Sequence, residues 1–242
     1  MSEPRDEGRR RSGHRGTGPG PITPDGCAVE LYRRLAVGGE PDVIAAALPA
    51  GATLLELGSG AGRVTAPLVE RGFAVTAVDE SAEMLAAVGE RAPGAETVHS
   101  PIESLELGRR FDAVVLGSFL VHAADHATRQ ALLETCRRHV KEDGSVLIQR
   151  EGADYHVDLP RERHDPAGYT VRIVSAEPVG DGVRSVFAEY LFPDARWTQT
   201  FLSRPLTREA FEGHLAEAGL AVDAYLTEDG TWVRARPARV SG

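Results

Sequence analysis

Two cysteines among 242 residues, Cys27 and Cys136, are too few for a disulfide framework or a cysteine-built zinc cluster. A reduced, cytoplasmic protein is the plain expectation. No segment approaches the roughly 18 consecutive apolar residues that span a bilayer, and the N-terminal stretch lacks the apolar core of a secretion signal. No membrane partner is expected. Basic charge is also short: 27 Lys and Arg face 36 Asp and Glu, for a net charge of −9. The first 22 residues hold five arginines against three acids, which leaves about −11 on the rest. Such a body is poorly suited to gripping a phosphate backbone, so nucleic acid is not an expected partner either. What remains is ordinary, with 42% apolar and 26% charged residues and the length of one large domain or one domain with an extension.

Residues 1–22 are rich in Gly, Pro, Arg and Ser and nearly devoid of apolar side chains. They read as a disordered tail, because so little burial cannot offset ordering entropy. Residues 23–50 read as two helices, one with Val29, Leu31, Tyr32 and Leu35, the next with Val43, Ile44 and Leu48 behind Pro41. Residues 51–150 then alternate. Strands are expected at 53–57, 74–79, 96–99, 113–116 and 145–149. Helices are expected at 62–71, behind Ser81 and behind Asp125, both suitable N-caps. The 113–116 strand is continuously apolar, as for a strand buried on both faces. This order implies a parallel, doubly wound α/β sheet. Residues 151–205 change character. A polar, irregular insert (151–167) precedes segments 169–176, 183–192 and 196–202, which alternate with period two around a hairpin signal at Gly180-Asp181-Gly182. Residues 206–242 close with a helix behind Thr207 and a hairpin around Asp229-Gly230.

The chemistry-bearing segment is Glu56-Leu57-Gly58-Ser59-Gly60-Ala61-Gly62-Arg63. It ends the first core strand and opens a helix. Glycines there let the backbone turn sharply and approach a ligand. Asp79 ends the next strand, 21 positions after Gly58, and can accept hydrogen bonds from both hydroxyls of a ribose. The dinucleotide fingerprint is not met, because its third glycine position holds Arg63 and Gly62 comes one place early. Glu56 would also repel a diphosphate, whereas it suits a cofactor bearing positive charge.

On these residues the chain resembles the class I S-adenosylmethionine-dependent methyltransferases of the small-molecule type, with Glu56, Gly58, Gly60 and Gly62 as motif I and Asp79 as the motif II acid. The resemblance covers residues 41–150 and the final helix and hairpin. It implies a Rossmann-like seven-stranded sheet in the order 3-2-1-4-5-7-6, strand 7 antiparallel, here with an added antiparallel β lid. It implies S-adenosyl-L-methionine as cofactor and S-adenosyl-L-homocysteine as product. The cofactor-binding residues it implies are Tyr32 on the N-terminal helix, the loop Glu56, Gly58, Ser59, Gly60 and Gly62, then Asp79 and Glu80. Ser100, Pro101 and Ile102 fall in the adenine loop, where Ser100 stands in place of the family's usual Asp. Gly117 follows the fourth core strand. Met84 is either plain helix core or part of the adenine pocket, and Tyr32 either a half-buried helix residue or a cofactor contact.

Methyl transfer requires the acceptor to be held in line with the methyl and, for a hydroxyl or ammonium, a base for its proton. His122, in the segment leaving the C-terminal edge of the fourth core strand, is the catalytic candidate, against a structural role beside a helix cap. The His122, Asp125, His126 cluster looks unlike a hard-oxygen metal site, so no metal is expected. Arg150, Tyr155, His156, Arg161 and His164 lie on the expected substrate side, as do Tyr190, Trp197 and Gln199. The Asn/Asp-Pro-Pro-Tyr/Phe motif of amino-directed DNA and protein enzymes is absent after the fourth core strand, where Gly117-Ser118-Phe119-Leu120 stands. A small molecule is thus the expected partner, with O, N or C as acceptor left open, and with monomer and homodimer equally open. A composition rich in Ala, Arg and Gly hints at bacterial specialised metabolism. The alternative is a non-catalytic S-adenosylmethionine-binding protein, or different chemistry on the same fold.

Overall fold

The computed structural model describes residues 11–238. The chain divides into two compact units. The α/β unit comprises Leu35–Tyr155 and the segment from Arg204 onward; the β unit comprises the segment through Arg34 together with His156–Ser203.

The α/β unit holds α2 (Glu40–Ala46), β2 (Thr53–Leu57), α3 (Thr65–Glu70), β3 (Ala74–Asp79), α4 (Ala82–Arg91), β4 (Glu96–His99), β5 (Phe111–Leu116), α5 (His126–His139), β6 (Val140–Gln149), α6 (Arg208–Glu217), β11 (Leu220–Tyr225) and β12 (Trp232–Pro237). Its seven-stranded sheet runs β4-β3-β2-β5-β6-β12-β11. β12 runs opposite to the other six strands of this sheet, because it returns from β11 through a hairpin. In core numbering this is the expected order 3-2-1-4-5-7-6. Ala113, Val114 and Leu116 of β5 are wholly buried, as a central parallel strand covered on both faces requires. Leu55, Leu57, Val114, Leu132, Leu133, Ile148, Phe211 and Leu215 pack into one cluster, while Ile44, Leu54, Leu68, Val75 and Trp232 belong to another. The helices start where capping chemistry dictates. Ser81 Oγ accepts from Met84 N (3.2 Å), Asp125 Oδ2 from Thr128 N (2.7 Å) and Thr207 Oγ1 from Ala210 N (3.1 Å); each cap stabilises its helix by about 1 kcal/mol. The strand registers pair Leu57 with Val78 and with Leu116, and Asp79 with His99. Gly58, Asp79, Ser100 and Gly117 therefore leave the same edge of the sheet.

The β unit is an antiparallel sheet in the order β1-β10-β9-β8-β7, built from β1 (Arg15–Thr17), β7 (Arg161–Asp165), β8 (Tyr169–Gly180), β9 (Val183–Leu191) and β10 (Arg196–Ser203), with α1 (Val29–Arg34). Tyr169 stacks on Phe192 (4.5 Å between centroids), Phe192 meets Trp197 edge-on (5.3 Å), and the Arg34 guanidinium lies over Phe192 at 4.4 Å.

Several expectations need correction. Residues 1–10 lie outside the described residues, but the rest of the expected tail is ordered. β1 pairs with β10, Thr17 and Thr198 share a hydroxyl hydrogen bond of 2.6 Å, and the Trp197 indole N–H donates to the Pro19 carbonyl (2.9 Å). A backbone ladder needs no apolar side chains from the added strand, so composition missed it. Gly16 is there for close approach: a Cβ would stand 2.1 Å from the Gly26 carbonyl oxygen. The insert 151–167 also contains a strand, β7. Its Arg-Glu-Arg-His-Asp sequence is that of a charged sheet edge, and Glu162 pairs across the ladder with Arg172. The 23–50 segment is split, α1 belonging to the β unit and α2 to the α/β unit. The expected 62–71 helix is shortened to α3 because its first residues complete the glycine turn.

Candidate active site

At the end of β2 the N–H groups of Gly58 and Ser59 both donate to the Val78 carbonyl (2.9 Å each), and Gly62 N donates back to Ser59 O (3.1 Å). Gly58, Gly60 and Gly62 have φ of +71°, +53° and +77°, a region that disfavours any side chain. A Cβ on Gly62 would stand 3.2 Å from Val88 Cα, and one on Gly58 would stand 2.9 Å from Leu120 Cδ1. Asp79 locks this loop to the next strand. Its Oδ2 accepts from Gly60 N and its Oδ1 from Ser81 N, both at 2.9 Å. A carboxylate oxygen can accept a second hydrogen bond, so this geometry is compatible with hydroxyl recognition. The Ser59 hydroxyl is buried with no hydrogen-bond partner among the described residues, a state costing about 1–3 kcal/mol that a polar ligand group would relieve.

Glu56, 5% exposed, faces inward from β2 and accepts a 2.6 Å hydrogen bond from Thr65 Oγ1 at the start of α3. Burial raises its carboxyl to about 7; the Asp79 charge adds to this, while the Thr65 hydrogen bond and the Arg63 charge oppose it. Arg63 is committed to α2, bonded to Glu40 at 2.7 Å and to Ala36 O at 3.4 Å.

Ser100 N donates to the Asp79 carbonyl (3.1 Å), tying the loop after β4 to the site, but its hydroxyl turns to Pro101 O (2.8 Å). Ile102 borders the Gly58 turn. The Glu80 carbonyl meets His99 Nε2 (2.9 Å). Met84, 2% exposed, is buried at the first turn of α4. Tyr32 belongs to the β unit, where its hydroxyl takes a hydrogen bond from the Cys27 thiol (3.3 Å). Arg150 donates to Leu206 O and stacks over Phe211, so it braces the α/β unit. Trp197 is 1% exposed, and Gln199 bonds Cys27 Sγ; both are built into the β unit.

The structure builds His122 into the scaffold beneath the turn after β5. The ring is 3% exposed. Its Nδ1 meets Arg204 O at 2.8 Å and Glu151 Oε2 at 3.3 Å, while Nε2 accepts from Glu151 N at 3.0 Å. With Nδ1–H donating and the Nε2 lone pair engaged by the backbone, the ring holds three segments together and both its nitrogens are occupied. The His122, Asp125, His126 cluster does not assemble either: Asp125 caps α5, and His126 turns toward α6.

Sequence reasoning missed Thr65, whose role depends on a fold-over between β2 and α3. It also missed the strain after β5. Ser118 and Phe119 have φ of +51° and +60°, two consecutive non-glycine residues in the left-handed region, and Gln149 Oε1 holds Ser118 N at 2.9 Å. Such conformations gather at functional sites. The Phe119 ring packs against Tyr155 (centroids 5.5 Å apart).

Residues 54–144 match the family model described as "Methyltransferase domain". Over 185 residues, 72% of each chain, the sequence is 35% identical to the dTDP-3-amino-3,6-dideoxy-alpha-D-glucopyranose N,N-dimethyltransferase of Streptomyces fradiae. The chain belongs to the class I S-adenosylmethionine-dependent methyltransferases. The methyltransferase is also 31% identical to the glycine/sarcosine N-methyltransferase of Aphanothece halophytica, over 58% of this chain and 56% of that one. Its fold is shared with an S-adenosylmethionine-dependent methyltransferase from Clostridium acetobutylicum (TM-score 0.69, 16% identity, 87% of this chain and 97% of that one). The glycine turn, the buried Ser59 hydroxyl, Asp79 and the anionic-capable Glu56 fit a cationic nucleoside cofactor, S-adenosyl-L-methionine. Among the described residues no helix is long and apolar enough to cross a membrane.

Proposed function

We propose that this methyltransferase methylates the nitrogen of a small polar amine, with an aminated sugar as the leading candidate class. The observation that carries the reading is the 35% identity over 72% of both chains with an aminosugar N,N-dimethyltransferase. The second N-methyltransferase similarity supports the same acceptor atom. When bound, S-adenosyl-L-methionine supplies a methyl on a sulfonium, whose sulfur keeps the electron pair of the broken bond. The residues of this chain bind and orient. The loop from Gly58 to Gly62 backs the methionine end, with Glu56 contributing negative potential and Ser59 a hydroxyl. Asp79 accepts the ribose hydroxyls, with Glu80 beside it, and residues 100–102 border the base. Gly117 and the strained Ser118-Phe119 turn, with Tyr155 against the ring, lie on the acceptor side of the same sheet edge. There they help exclude water and fix the approach line. An amine must present its lone pair, so rate depends on its deprotonated fraction. His122 contributes by holding this turn, not by taking that proton. A cytoplasmic location and a part in bacterial specialised metabolism are consistent with this reading.

The test is transfer of isotopically labelled methyl to a panel of aminosugars, simple amines, carboxylates and phenols. Label on amine nitrogen is expected. Label found only on oxygen or carbon acceptors refutes the amine assignment. Cofactor binding without transfer to any panel member would favour the non-catalytic alternative.

A further inference from the structure

The first residue of α5 and the last turn of α6 bring together three groups with metal-binding chemistry. His126 Nε2 lies 3.0 Å and His214 Nδ1 lies 3.6 Å from the same carboxylate oxygen, Glu217 Oε2, and the three candidate ligand atoms all lie within 4.8 Å of one another. Ligand atoms held about 2.0–2.2 Å from zinc in a tetrahedron stand about 3.3–3.6 Å apart; the 3.0 and 3.6 Å separations lie close to that edge. His214 and Glu217 are three residues apart on one helix, the spacing that puts two side chains on one face. The imidazole rings meet edge-on with centroids 5.3 Å apart. Gln130 Nε2 donates to Glu217 Oε2 at 2.7 Å and lies 3.3 Å from His214 Nδ1, so this amide bridges the two groups and must move off Nδ1 when a metal binds there. His126 and Glu217 are 60% and 53% exposed, so a cation has an entry path and room for water as a further ligand. One positive charge opposes a cation here: the buried Arg129 guanidinium, hydrogen-bonded to the Ala123 carbonyl, acts on His214, while Asp125 is occupied as the α5 cap.

We propose that His126, His214 and Glu217 form a binding site for a borderline divalent transition metal of the zinc, cobalt or nickel class, which cross-links α5 to α6. Two imidazoles and one carboxylate suit these ions and not magnesium or calcium. The site is outside the methyl-transfer machinery. Its sequence signal is hidden because His126 and Glu217 are 91 positions apart.

The experiment uses the full chain without a histidine tag, stripped with chelator. Zn²⁺ is titrated in competition with a chromophoric chelator, and thermal unfolding is recorded with and without Zn²⁺. One tight equivalent and a Zn²⁺-dependent rise in Tm are expected. His126→Ala and Glu217→Gln should each weaken Zn²⁺ by at least about tenfold and abolish the rise, while S-adenosylmethionine affinity, the control for folding, stays unchanged. Mg²⁺ should produce no rise. The proposal is overturned if wild-type protein binds no single equivalent, or if both variants bind Zn²⁺ as the wild type does.

Discussion

Replacing Glu56 by Gln removes a buried charge while keeping an oxygen that can accept from Thr65. The carboxyl has a folded-state pKa of about 7 against an ordinary value of 4.5. A raised acid pKa means the folded state favours the proton. Stability from the neutral form is therefore fully present below about pH 4.5 and is lost as pH rises through 7. The shift corresponds to about 3 kcal/mol at and above pH 7 and less than about 1 kcal/mol at pH 5. The Gln variant does not titrate and carries no such loss. Its stability relative to wild type should thus improve by about 2–3 kcal/mol between pH 5 and pH 8, whatever constant offset the amide introduces. Urea unfolding at several pH values, followed by circular dichroism without cofactor, measures this difference directly. A stability difference that stays constant from pH 5 to 8 refutes the buried-carboxylate reasoning. Function should move the other way. A cationic ligand beside Glu56 favours its ionised form, so cofactor binding near pH 6.5 should release protons. Calorimetry in two buffers of different ionisation enthalpy detects that release, and Glu56→Gln should remove it.

Asp79→Ala deletes a charged acceptor and should weaken S-adenosylmethionine by about 2–4 kcal/mol; unchanged affinity in a folded variant, measured by calorimetry, would sink the ribose assignment. Gly62→Ala puts a Cβ at a left-handed position (φ +77°) and 3.2 Å from Val88 Cα, and should destabilise by about 1–3 kcal/mol in urea unfolding. His122→Ala strips partners from Glu151 N and Arg204 O, and should cost about 2–4 kcal/mol of stability; where the variant remains folded, the pH–rate profile should keep its shape. Asp112, held by Lys141 and Thr53, has a carboxyl lowered to about 2, so its contribution is present above the ordinary carboxylate range and lost as pH falls toward 2. Asp112→Asn should flatten the acid limb of the stability curve there.

Local rules made much of the α/β unit legible. Period-two and continuous apolar runs located β2 to β5, because burial on two faces leaves a run such as that of β5. Ser81, Asp125 and Thr207 announced their helices because capping is chemistry within three residues. The glycine turn and Asp79 were readable for the same reason: backbone shape and a 21-residue spacing are both properties of consecutive chain. What tertiary structure alone decided involves partners far apart in sequence. The β1 ladder comes from β10, nearly two hundred residues later, so the glycine- and arginine-rich composition of its own segment carried no trace of it. His122 has the residue type of a base and the position of one, yet Glu151 and Arg204 occupy its nitrogens. Glu56 became a carboxyl that titrates near neutrality only when Thr65 and the sheet closed around it. His126 met His214 and Glu217 only when α6 packed beside α5. A residue's type and spacing determine what chemistry it can perform; its long-range neighbours determine which lone pairs and protons remain available to perform it.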